Sequence, residues 1–329
     1  MFNNKKILIT GGTGSFGKAF VKYFSNKYPK SKISIFSRDE IKQWDLSLKY
    51  KDKANIKFII GDIRDISRVE EAFYGQDYIV HAAATKIVPT AEVNPSECIK
   101  TNIIGAMNII EASKFHKIKN VIALSTDKAC NPINLYGATK LASDKLFISA
   151  NNYDIKNYTK FSVVRYGNVM GSRGSVIPFF VDIKKNNKKI PVTSKEMTRF
   201  MVTLNQAVSL VEFSLKASIG GEIFIKKIPS INIMDIVKAI DPDLNIEVIG
   251  LRPGEKIHEQ MITTDDSLNT YEYRDYYKII PPTENKNLKN KLIKDGKIVK
   301  NNFSYISSTN KNWMTSDQVK NWIKENLDN

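Results

Sequence analysis

Short apolar runs alternate with amphipathic stretches along the first half of the chain. The apolar runs, each bounded by turn residues, are residues 5–10, 32–37, 56–62, 78–84, 120–127 and 161–169. Between them, apolar side chains recur at helical spacing, for example at Ile99, Ile103, Met107 and Ile110. Strands separated by helical crossovers predict an α/β fold with a doubly wound parallel sheet, which binds ligands at the carboxyl ends of its strands.

The pattern changes after Gly171, where prolines interrupt shorter apolar segments. We therefore predict a first domain over residues 1–170, to which the chain returns at about 200–225, and a smaller substrate-binding lobe over residues 171–282. Residues 283–329 are polar and lysine-rich, and we treat them as a C-terminal extension whose role is open.

Composition indicates a globular protein and excludes several classes. Of the 329 residues, 42% are hydrophobic and 26% are charged. No run approaches the roughly 18 apolar residues of a membrane span, and the N-terminus lacks a signal-peptide core. We therefore expect a cytoplasmic protein with no membrane partner. Two cysteines cannot form a disulfide framework and the three histidines are scattered, so we expect no metal site.

The formal net charge is +16, from 50 basic and 34 acidic residues. The lysines are spread along the whole chain and form no arginine-rich helix or aromatic-interleaved basic patch, so we expect no nucleic-acid partner. A positive field of this kind would attract a dianionic substrate and a phosphorylated cofactor.

A glycine-rich turn directly follows the first apolar run, in ILITGGTGSFGKAF. Its GxxGxxG spacing permits a tight turn and lets the backbone approach a pyrophosphate at a helix N-terminus. Between a strand and a helix, this motif predicts dinucleotide binding in a Rossmann-type domain. The expected cofactor-binding residues of the turn are Gly11, Thr13, Gly14, Ser15, Phe16 and Gly17.

The tip of the second predicted strand bears on the choice of cofactor. Ser37 and Arg38 occupy the tip and Asp39 follows, with Lys42 one turn later. An arginine or hydroxyl at this point suits a ribose 2′-phosphate, whereas an acid suits a free 2′-hydroxyl, so NADP is favoured over the alternative, NAD. Further residues expected along the cofactor are Asp62, Ile63, Ala82, Ala83, Ala84, Lys86, Asn102, Ser125, Tyr136, Lys140 and Tyr166.

Candidate chemistry concentrates in the segment STDKACNPINLYGATK. Tyr136 and Lys140 lie four residues apart and so share one face of a helix, where an ammonium favours the phenolate that a base needs. With Thr126 upstream, this YxxxK pair resembles the signature of the short-chain dehydrogenase/reductase superfamily. Asp127 and Lys128 are not needed for alcohol oxidation alone. They are either an additional acid–base pair or a salt-bridged surface pair.

The segment TDKACNPINLYGATK resembles the soluble UDP-N-acetylglucosamine 4,6-dehydratases (5-inverting) of pseudaminic acid synthesis and flagellin glycosylation. The likeness extends to FSRDE, NPSECIKTNI, RYGNVMGSRGSVIPFF, MTRF and RPGEKIHE, and covers roughly residues 1–280. The resemblance implies a hydro-lyase that forms UDP-2-acetamido-2,6-dideoxy-β-L-arabino-hex-4-ulose, and a homo-oligomer, either a dimer or a hexamer. A UDP-sugar epimerase and a non-catalytic dinucleotide-sensing regulator are the alternatives.

The resemblance also implies roles for the individual residues. Tyr136, assisted by Lys140 and Thr126, takes the 4-hydroxyl proton during oxidation at C4. Lys128, as a neutral amine whose pKa is depressed by burial and nearby cations, removes the proton from C5. Asp127, in its protonated form, donates to the departing 6-hydroxyl.

The second lobe is expected to hold the UDP-sugar. Arg199 and Arg252 are the predicted diphosphate clamps, and Glu255 either holds the ribose hydroxyls or only orients Arg252. The complete set of predicted substrate-binding residues is Lys86, Thr126, Asn168, Arg173, Ser175, Val176, Thr198, Arg199, Arg252 and Glu255.

Overall fold

The fold is built around one large twisted sheet. The computed structural model describes residues 1–152, 158–186 and 188–327. The strands, in chain order, are β1 (Lys6–Thr10), β2 (Lys32–Ser37), β3 (Ile56–Ile60), β4 (Tyr78–His81), β5 (Asn120–Leu124), β6 (Lys160–Arg165), β7 (Asn168–Val169), β8 (Ile190–Val192), β9 (Thr198–Val202), β10 (Ile223–Lys226), β11 (Ser230–Asn232), β12 (Ile246–Val248), β13 (Gln260–Ile262), β14 (Thr270–Glu272), β15 (Tyr276–Ile279), β16 (Lys297–Ile298) and β17 (Tyr305–Ile306).

Helices connect these strands and cover the sheet. They are α1 (Ser15–Lys27), α2 (Glu40–Lys49), α3 (Ile66–Phe73), α4 (Val88–Val93), α5 (Pro95–Ile99), α6 (Gly105–Phe115), α7 (Leu135–Ser149), α8 (Val176–Lys185), α9 (Leu204–Ala217), α10 (Ile233–Ile240), α11 (Lys286–Ile293) and α12 (Ser316–Asn326). None of the helices in the described ranges is both long and apolar enough to cross a bilayer.

Ten strands form the main sheet in the order β16-β14-β15-β10-β6-β5-β4-β1-β2-β3. The seven from β10 to β3 run parallel, and β15, β14 and β16 extend one edge in antiparallel fashion. The order reverses between β1 and β4, so the crevice at the carboxyl ends of those two strands is the expected ligand site. This sheet confirms the predicted fold class.

Four of the six predicted strands end earlier than their apolar runs do. The runs reach residues 62, 84, 127 and 169, whereas β3, β4, β5 and β6 end at residues 60, 81, 124 and 165. The backbone leaves the sheet at these points, and the residues that follow line a cavity at the carboxyl edge. The residues after the strands therefore continue the apolar runs without pairing in the main sheet, and they include the polar Asp62 and Asp127 that face the cavity.

The apolar stripe of the helix after β4 also differs from expectation. Ile99 and Met107 are exposed and Ile103 is half-buried, while Ala106 and Ile109 face the core. The segment has two apolar faces, and the one with the smaller side chains packs against α3 and α7, where helices approach closely.

The second lobe has its own small core. A three-stranded sheet (β11-β9-β7) and a two-stranded one (β12-β8) lie beside α8, α10 and α12. Its buried side chains include Phe180, Ile190, Met201, Ile236 and Ile323. Between these elements the chain passes back to the main sheet through α9 and β10.

The lysine-rich C-terminal segment contributes to both lobes. Its strand β16 pairs with β14 at the edge of the main sheet, β17 pairs with β13, and α12 packs against α10. Leu292 of α11 is fully buried beside Tyr271 and Ile280. The division of the chain near residues 170 and 282 stays a prediction, but both lobes include residues from beyond position 282.

Candidate active site

A cavity of about 590 Å³ opens at the carboxyl ends of the parallel strands. It brings together residues that are far apart in the chain, including most of those predicted from sequence. The predicted residues that line it are Gly11, Thr13, Gly14, Ser15, Phe16, Gly17, Ser37, Arg38, Asp39, Lys42, Asp62, Ile63, Ala82, Ala83, Ala84, Lys86, Ser125, Thr126, Asp127, Lys128, Tyr136, Lys140, Tyr166, Asn168, Arg173 and Ser175.

The glycine turn forms one end of the cavity and fits a dinucleotide. Gly11 has φ of 66°, and a Cβ there would lie 2.9 Å from the Cα of Ala83. Gly14 precedes α1 with no side-chain cap on the first free N–H groups of the helix. These N–H groups and the positive end of the helix are therefore available to a pyrophosphate.

Two side chains of α2, those of Gln43 and Lys42, contact the tip of β2 and the residues that follow it. Gln43 Nε2 donates to the carbonyl oxygen and to the hydroxyl oxygen of Ser37, both at 3.0 Å, and so fixes the strand end. Asp39 caps α2 by accepting from the Lys42 N–H at 2.8 Å and also pairs with the Lys42 ammonium. Arg38 is 58% exposed and lies 3.6 Å from Asp62. The carboxylate of Asp39 is thus occupied, whereas most of the Arg38 guanidinium faces open space.

A short 3₁₀ turn at residues 127–129 holds the candidate acid–base pair beside α7. Thr126 caps this turn by accepting from the Lys128 N–H, and its hydroxyl donates to Asp127 at 2.9 Å. A Cβ at Gly137, in the first turn of α7, would lie 2.2 Å from the Lys128 carbonyl oxygen. Only glycine permits this approach, which sets Tyr136 next to Asp127 and Lys128.

Both members of the YxxxK pair are buried in this wall. Burial raises the pKa of Tyr136 to about 12, and the Lys128 ammonium and a hydrogen bond with Thr126 only partly offset that rise. Burial lowers the pKa of Lys140. The Lys128 ammonium therefore opposes the rise in the Tyr136 pKa in this structure, and the expected contribution of Lys140 stays a prediction.

Lys128 lies between two carboxylates. Its Nζ is 3.1 Å from Asp127 Oδ1 and 3.2 Å from Glu259 Oε1. Asp127 is 1% exposed, so the alternative of a surface salt bridge is wrong. Among the described residues, Asp127 Oδ2 and Glu259 Oε2 are buried without a hydrogen-bond partner.

Burial and the charges in this cluster shift the pKa values of its members. Burial alone would lower the pKa of Lys128, but Asp127 and Glu259 outweigh it and raise that pKa. Burial raises the pKa of Asp127, and Glu259 raises it further against the effect of Lys128. Burial alone would raise the pKa of Glu259, but Lys128 and Arg199 lower it. The expected depression of the Lys128 pKa is thus wrong, whereas the rise in the Asp127 pKa is in the direction that its predicted role as an acid requires.

Six predicted residues do not line the cavity. Asn102 is buried behind it, where its amide donates to the Thr85 carbonyl at 2.9 Å and its side-chain oxygen accepts from the Thr85 N–H. It therefore holds the loop after β4 and does not reach the cavity. Val176 begins α8 and packs against the core of the second lobe. Thr198 is buried in hydrogen bonds with Ser307 at 2.6 Å and the His258 ring at 2.9 Å.

The predicted diphosphate clamps are engaged with protein groups. Arg199 is buried and donates to three backbone carbonyls at 2.8–3.0 Å. These hydrogen bonds hold the loop before β13 in place. Arg252 is exposed and donates to both oxygens of Glu255 at 3.0 and 2.9 Å. Glu255 also accepts from the Thr193 hydroxyl at 3.0 Å. These contacts are consistent with Glu255 orienting Arg252, and its contact with ribose hydroxyls stays a prediction.

Sequence reasoning missed Glu259 as a member of the site. The residue ends the RPGEKIHE motif, whose arginine and first glutamate were singled out, but nothing in the spacing shows that the second carboxylate turns towards Lys128. The other cavity-lining residues that were missed are mainly small or apolar neighbours of predicted ones: Phe36, Gly61, Thr101, Leu124, Gly167, Val169, Ser172, Gly174 and Leu204.

Comparison with known proteins gives consistent matches. Residues 7–281 match the family described as polysaccharide biosynthesis protein. The chain is 50% identical over 325 residues to the UDP-N-acetylglucosamine 4,6-dehydratase (inverting) of Campylobacter jejuni strain 81-176, covering 97% of each protein. It is 43% identical over 286 residues to a UDP-glucose 4-epimerase of Rickettsia bellii strain RML369-C, covering 85% of this chain and 84% of the epimerase.

Solved structures agree with the sequence matches. The X-ray structure of Pen from Bacillus thuringiensis superposes with a TM-score of 0.90 at 40% identity, covering 99% of this chain and 98% of that one. The match to the family spans most of the chain, and the two relatives and this structure cover it at 40% identity or more. On these grounds the chain belongs to the polysaccharide biosynthesis protein family.

Proposed function

We propose that this protein is a UDP-N-acetylglucosamine 4,6-dehydratase that inverts C5. The observation that carries the proposal is the pair of buried Asp127 and half-buried Lys128, which faces the same cavity as Tyr136. Oxidation and re-reduction at C4 require no such pair, whereas elimination across C5 and C6 requires a base and an acid. The relative from C. jejuni that matches over 97% of the chain has this activity in its name.

The cofactor of the proposed reaction is a nicotinamide dinucleotide, specifically NADP. The glycine turn and the uncapped start of α1 would hold its pyrophosphate, and Ser37 with Arg38 would receive the 2′-phosphate. When bound, the nicotinamide supplies the chemistry of hydride removal from C4 and hydride return to C6.

The protein's own groups move the protons. Tyr136 accepts the 4-hydroxyl proton, helped by the positive charge of Lys128. The 4-ketone then acidifies C5, and Lys128, after losing one proton, accepts H5. Asp127 donates its proton to the 6-oxygen, which leaves as water, and a solvent proton returns to C5 on the opposite face. Asp127 suits its role because it is buried, has a raised pKa and keeps one oxygen without a partner among the described residues.

Experiments with deuterated water test the proposal. We expect that incubation with UDP-N-acetylglucosamine and NADP in heavy water yields a 4-keto-6-deoxy sugar nucleotide with deuterium at C5, observed by NMR. The second candidate is a UDP-sugar epimerase, which the R. bellii relative favours by its name. An epimerase would leave C5 unlabelled and form the C4 epimer, and this outcome would overturn the dehydratase proposal.

The wider setting is also a proposal. The UDP-sugar product would feed pseudaminic acid synthesis for flagellin glycosylation, in a homo-oligomeric protein, either a dimer or a hexamer, located in the cytoplasm. The dinucleotide-sensing regulator is the weakest alternative, because Tyr136 and Lys140 are both present and both face the cavity.

A further inference from the structure

Glu259 is the buried carboxylate beside Lys128 that the reaction scheme does not use. It lies directly before β13, is 2% exposed and does not line the cavity. Its Oε1 is 3.2 Å from Lys128 Nζ and 3.6 Å from Arg199 Nε. Any effect it has on a substrate must therefore pass through the cavity-lining groups on which it acts, which are Lys128 by direct contact and Asp127 through its charge.

The backbone of Glu259 is held from the C-terminal segment. Its N–H donates to the Ser307 hydroxyl at 2.9 Å, and its carbonyl accepts from the Ser307 N–H at 2.8 Å. The β13–β17 pairing continues this attachment along the chain. The carboxylate is thus fixed in place on a rigid element, as a group that positions another side chain should be.

Lys128 has five charged or titratable neighbours that determine its protonation. The carboxylate of Asp127 belongs to the same 3₁₀ turn as Lys128, and that of Glu259 comes from the loop before β13. Arg199 and the phenol of Tyr136 act on it electrostatically. The pKa of Lys86, which also lines the cavity, is lowered by burial and, to a smaller extent, by Lys128. The surroundings raise the pKa of Asp127 and lower that of Glu259, so Glu259 is the carboxylate whose negative charge they stabilise beside the ammonium.

We propose that Glu259 is a positioning residue that fixes Lys128 Nζ beside Asp127 and sets the pH at which this amine becomes a free base. The inference rests on the proposed dehydratase function. Before the C5 step, one N–H bond of the ammonium breaks and its proton passes to solvent. The amine lone pair then forms a new bond to H5, and the electron pair of the C5–H bond moves into the enolate of the 4-ketone.

The pH dependence of C5 labelling tests this role. Glu259→Gln keeps the size of the side chain and removes its charge. In a plot of the rate of deuterium incorporation against pH, the acid limb is the range in which the rate falls because the amine becomes protonated. We expect this limb to move to lower pH by about one to three units, since an opposite charge at this range shifts a pKa by that much. We also expect a lower plateau rate and a KM near that of the wild type, because Glu259 does not contact the cavity.

Two further variants control the experiment. Glu259→Asp keeps the charge but withdraws it by one methylene, so its limb should fall between those of the wild type and Glu259→Gln. Glu255→Gln removes a carboxylate from the same loop, 3.8 Å from Arg199, and should leave the limb in place even if KM rises. Should Glu259→Gln fail to fold, a limb shift in Glu259→Asp decides the question in its place.

The outcomes separate this inference from the proposed function. Wild-type protein that labels C5, together with an unshifted limb in both Glu259 variants, overturns the role of Glu259 and leaves the dehydratase intact. Wild-type protein that never labels C5 overturns the dehydratase itself. A limb that shifts equally in Glu255→Gln also contradicts the inference, because the effect would then come from the loop and not from the contact with Lys128.

Discussion

At the residue scale, the site depends on charge in a buried setting. Lys128 is held as an ammonium by Asp127 and Glu259, and the same ammonium opposes the rise in the Tyr136 pKa. In the proposed mechanism, one lysine therefore acts on two steps: its charged form assists oxidation at C4, and its neutral form is the base at C5. Because Lys128 would lose its proton between these steps, oxidation at C4 would precede removal of the proton from C5.

Replacement of Lys128 should stop the reaction after its first half. Lys128→Met cannot accept H5, so we expect dehydration to fall by about 10²–10⁴-fold, the usual contribution of a general base. Loss of the Lys128 charge should slow oxidation at C4 less than it slows dehydration, because Tyr136 and Lys140 remain. Reduced nicotinamide and a 4-keto sugar should therefore accumulate, measured by nicotinamide absorbance and NMR. Asp127→Asn should instead slow loss of water while some C5 labelling continues. Near wild-type turnover in both variants would mean that the pair is structural.

The proposed NADP preference depends on Arg38. Arg38→Asp removes a cation from the tip of β2, and we expect NADP affinity to fall about 10–100-fold, as for loss of a hydrogen bond to a charged group. NAD affinity should change much less, which titrations with both cofactors would measure. Arg274→Asp makes the same change in net charge at an exposed position that does not line the cavity and serves as the control. Equal loss of affinity for both cofactors would contradict a 2′-phosphate contact.

At the scale of elements, a buried glutamate anchors the helix that follows the glycine turn. Helices α1 and α9 are joined by Glu212, which accepts hydrogen bonds from Tyr23 at 2.5 Å, Lys27 at 2.7 Å and Tyr28. The same helix α1 begins at the glycine turn, so this anchor holds the far end of the helix whose N-terminus is the predicted pyrophosphate site.

The anchor should make stability depend on pH. Burial alone would raise the pKa of Glu212, but hydrogen bonds from Lys216, Lys27, Tyr23 and Tyr28 lower it to about 2. A glutamate in an unfolded chain has a pKa of about 4.3. The stabilisation is therefore complete above that value and is lost as pH falls through the folded pKa.

We expect Glu212→Gln to lower the free energy of unfolding by about 1–3 kcal/mol at neutral pH, as for hydrogen bonds to a charged group. The difference from wild type should shrink as the pH falls from about 4.3 towards 2, which urea denaturation at several pH values would show. Glu111→Gln, at an exposed position on α6, should have little effect at any pH. A difference between wild type and Glu212→Gln that does not change with pH would mean that the carboxylate is not the stabilising group.

At the scale of the whole molecule, the C-terminal segment joins the two lobes behind the site. Tyr305 is buried, with its ring centroid 4.6 Å from that of Phe200 and 5.3 Å from that of Tyr277. Ser307 binds both the loop that carries Glu259 and the strand that carries Thr198. This segment supports the active site from behind and is not only a basic surface.

Truncation of the C-terminal segment should therefore impair the protein, whereas removal of positive charges from its surface should not. A chain that ends at Pro282 loses β16, β17 and α12, and we expect a lower melting temperature and loss of dehydratase activity. Neutralising the exposed Lys289 and Lys291 on α11 should leave both properties near wild type. Thermal melting and product formation measure the two variants. A truncated protein that keeps its stability and activity would show that the segment is dispensable.

Local patterns in the chain were sufficient for the alternating elements, the glycine turn, the tip of β2 and the YxxxK face, because each depends on residues close together in sequence. Long-range packing determined the rest. The strands end early because the backbone turns away to form the cavity, and Arg199 is held by its own loop instead of facing the cavity. Glu259 meets Lys128 only when β13 packs on the 3₁₀ turn. Protonation follows from that contact, since burial and neighbouring charge are properties of the folded chain and not of residue spacing.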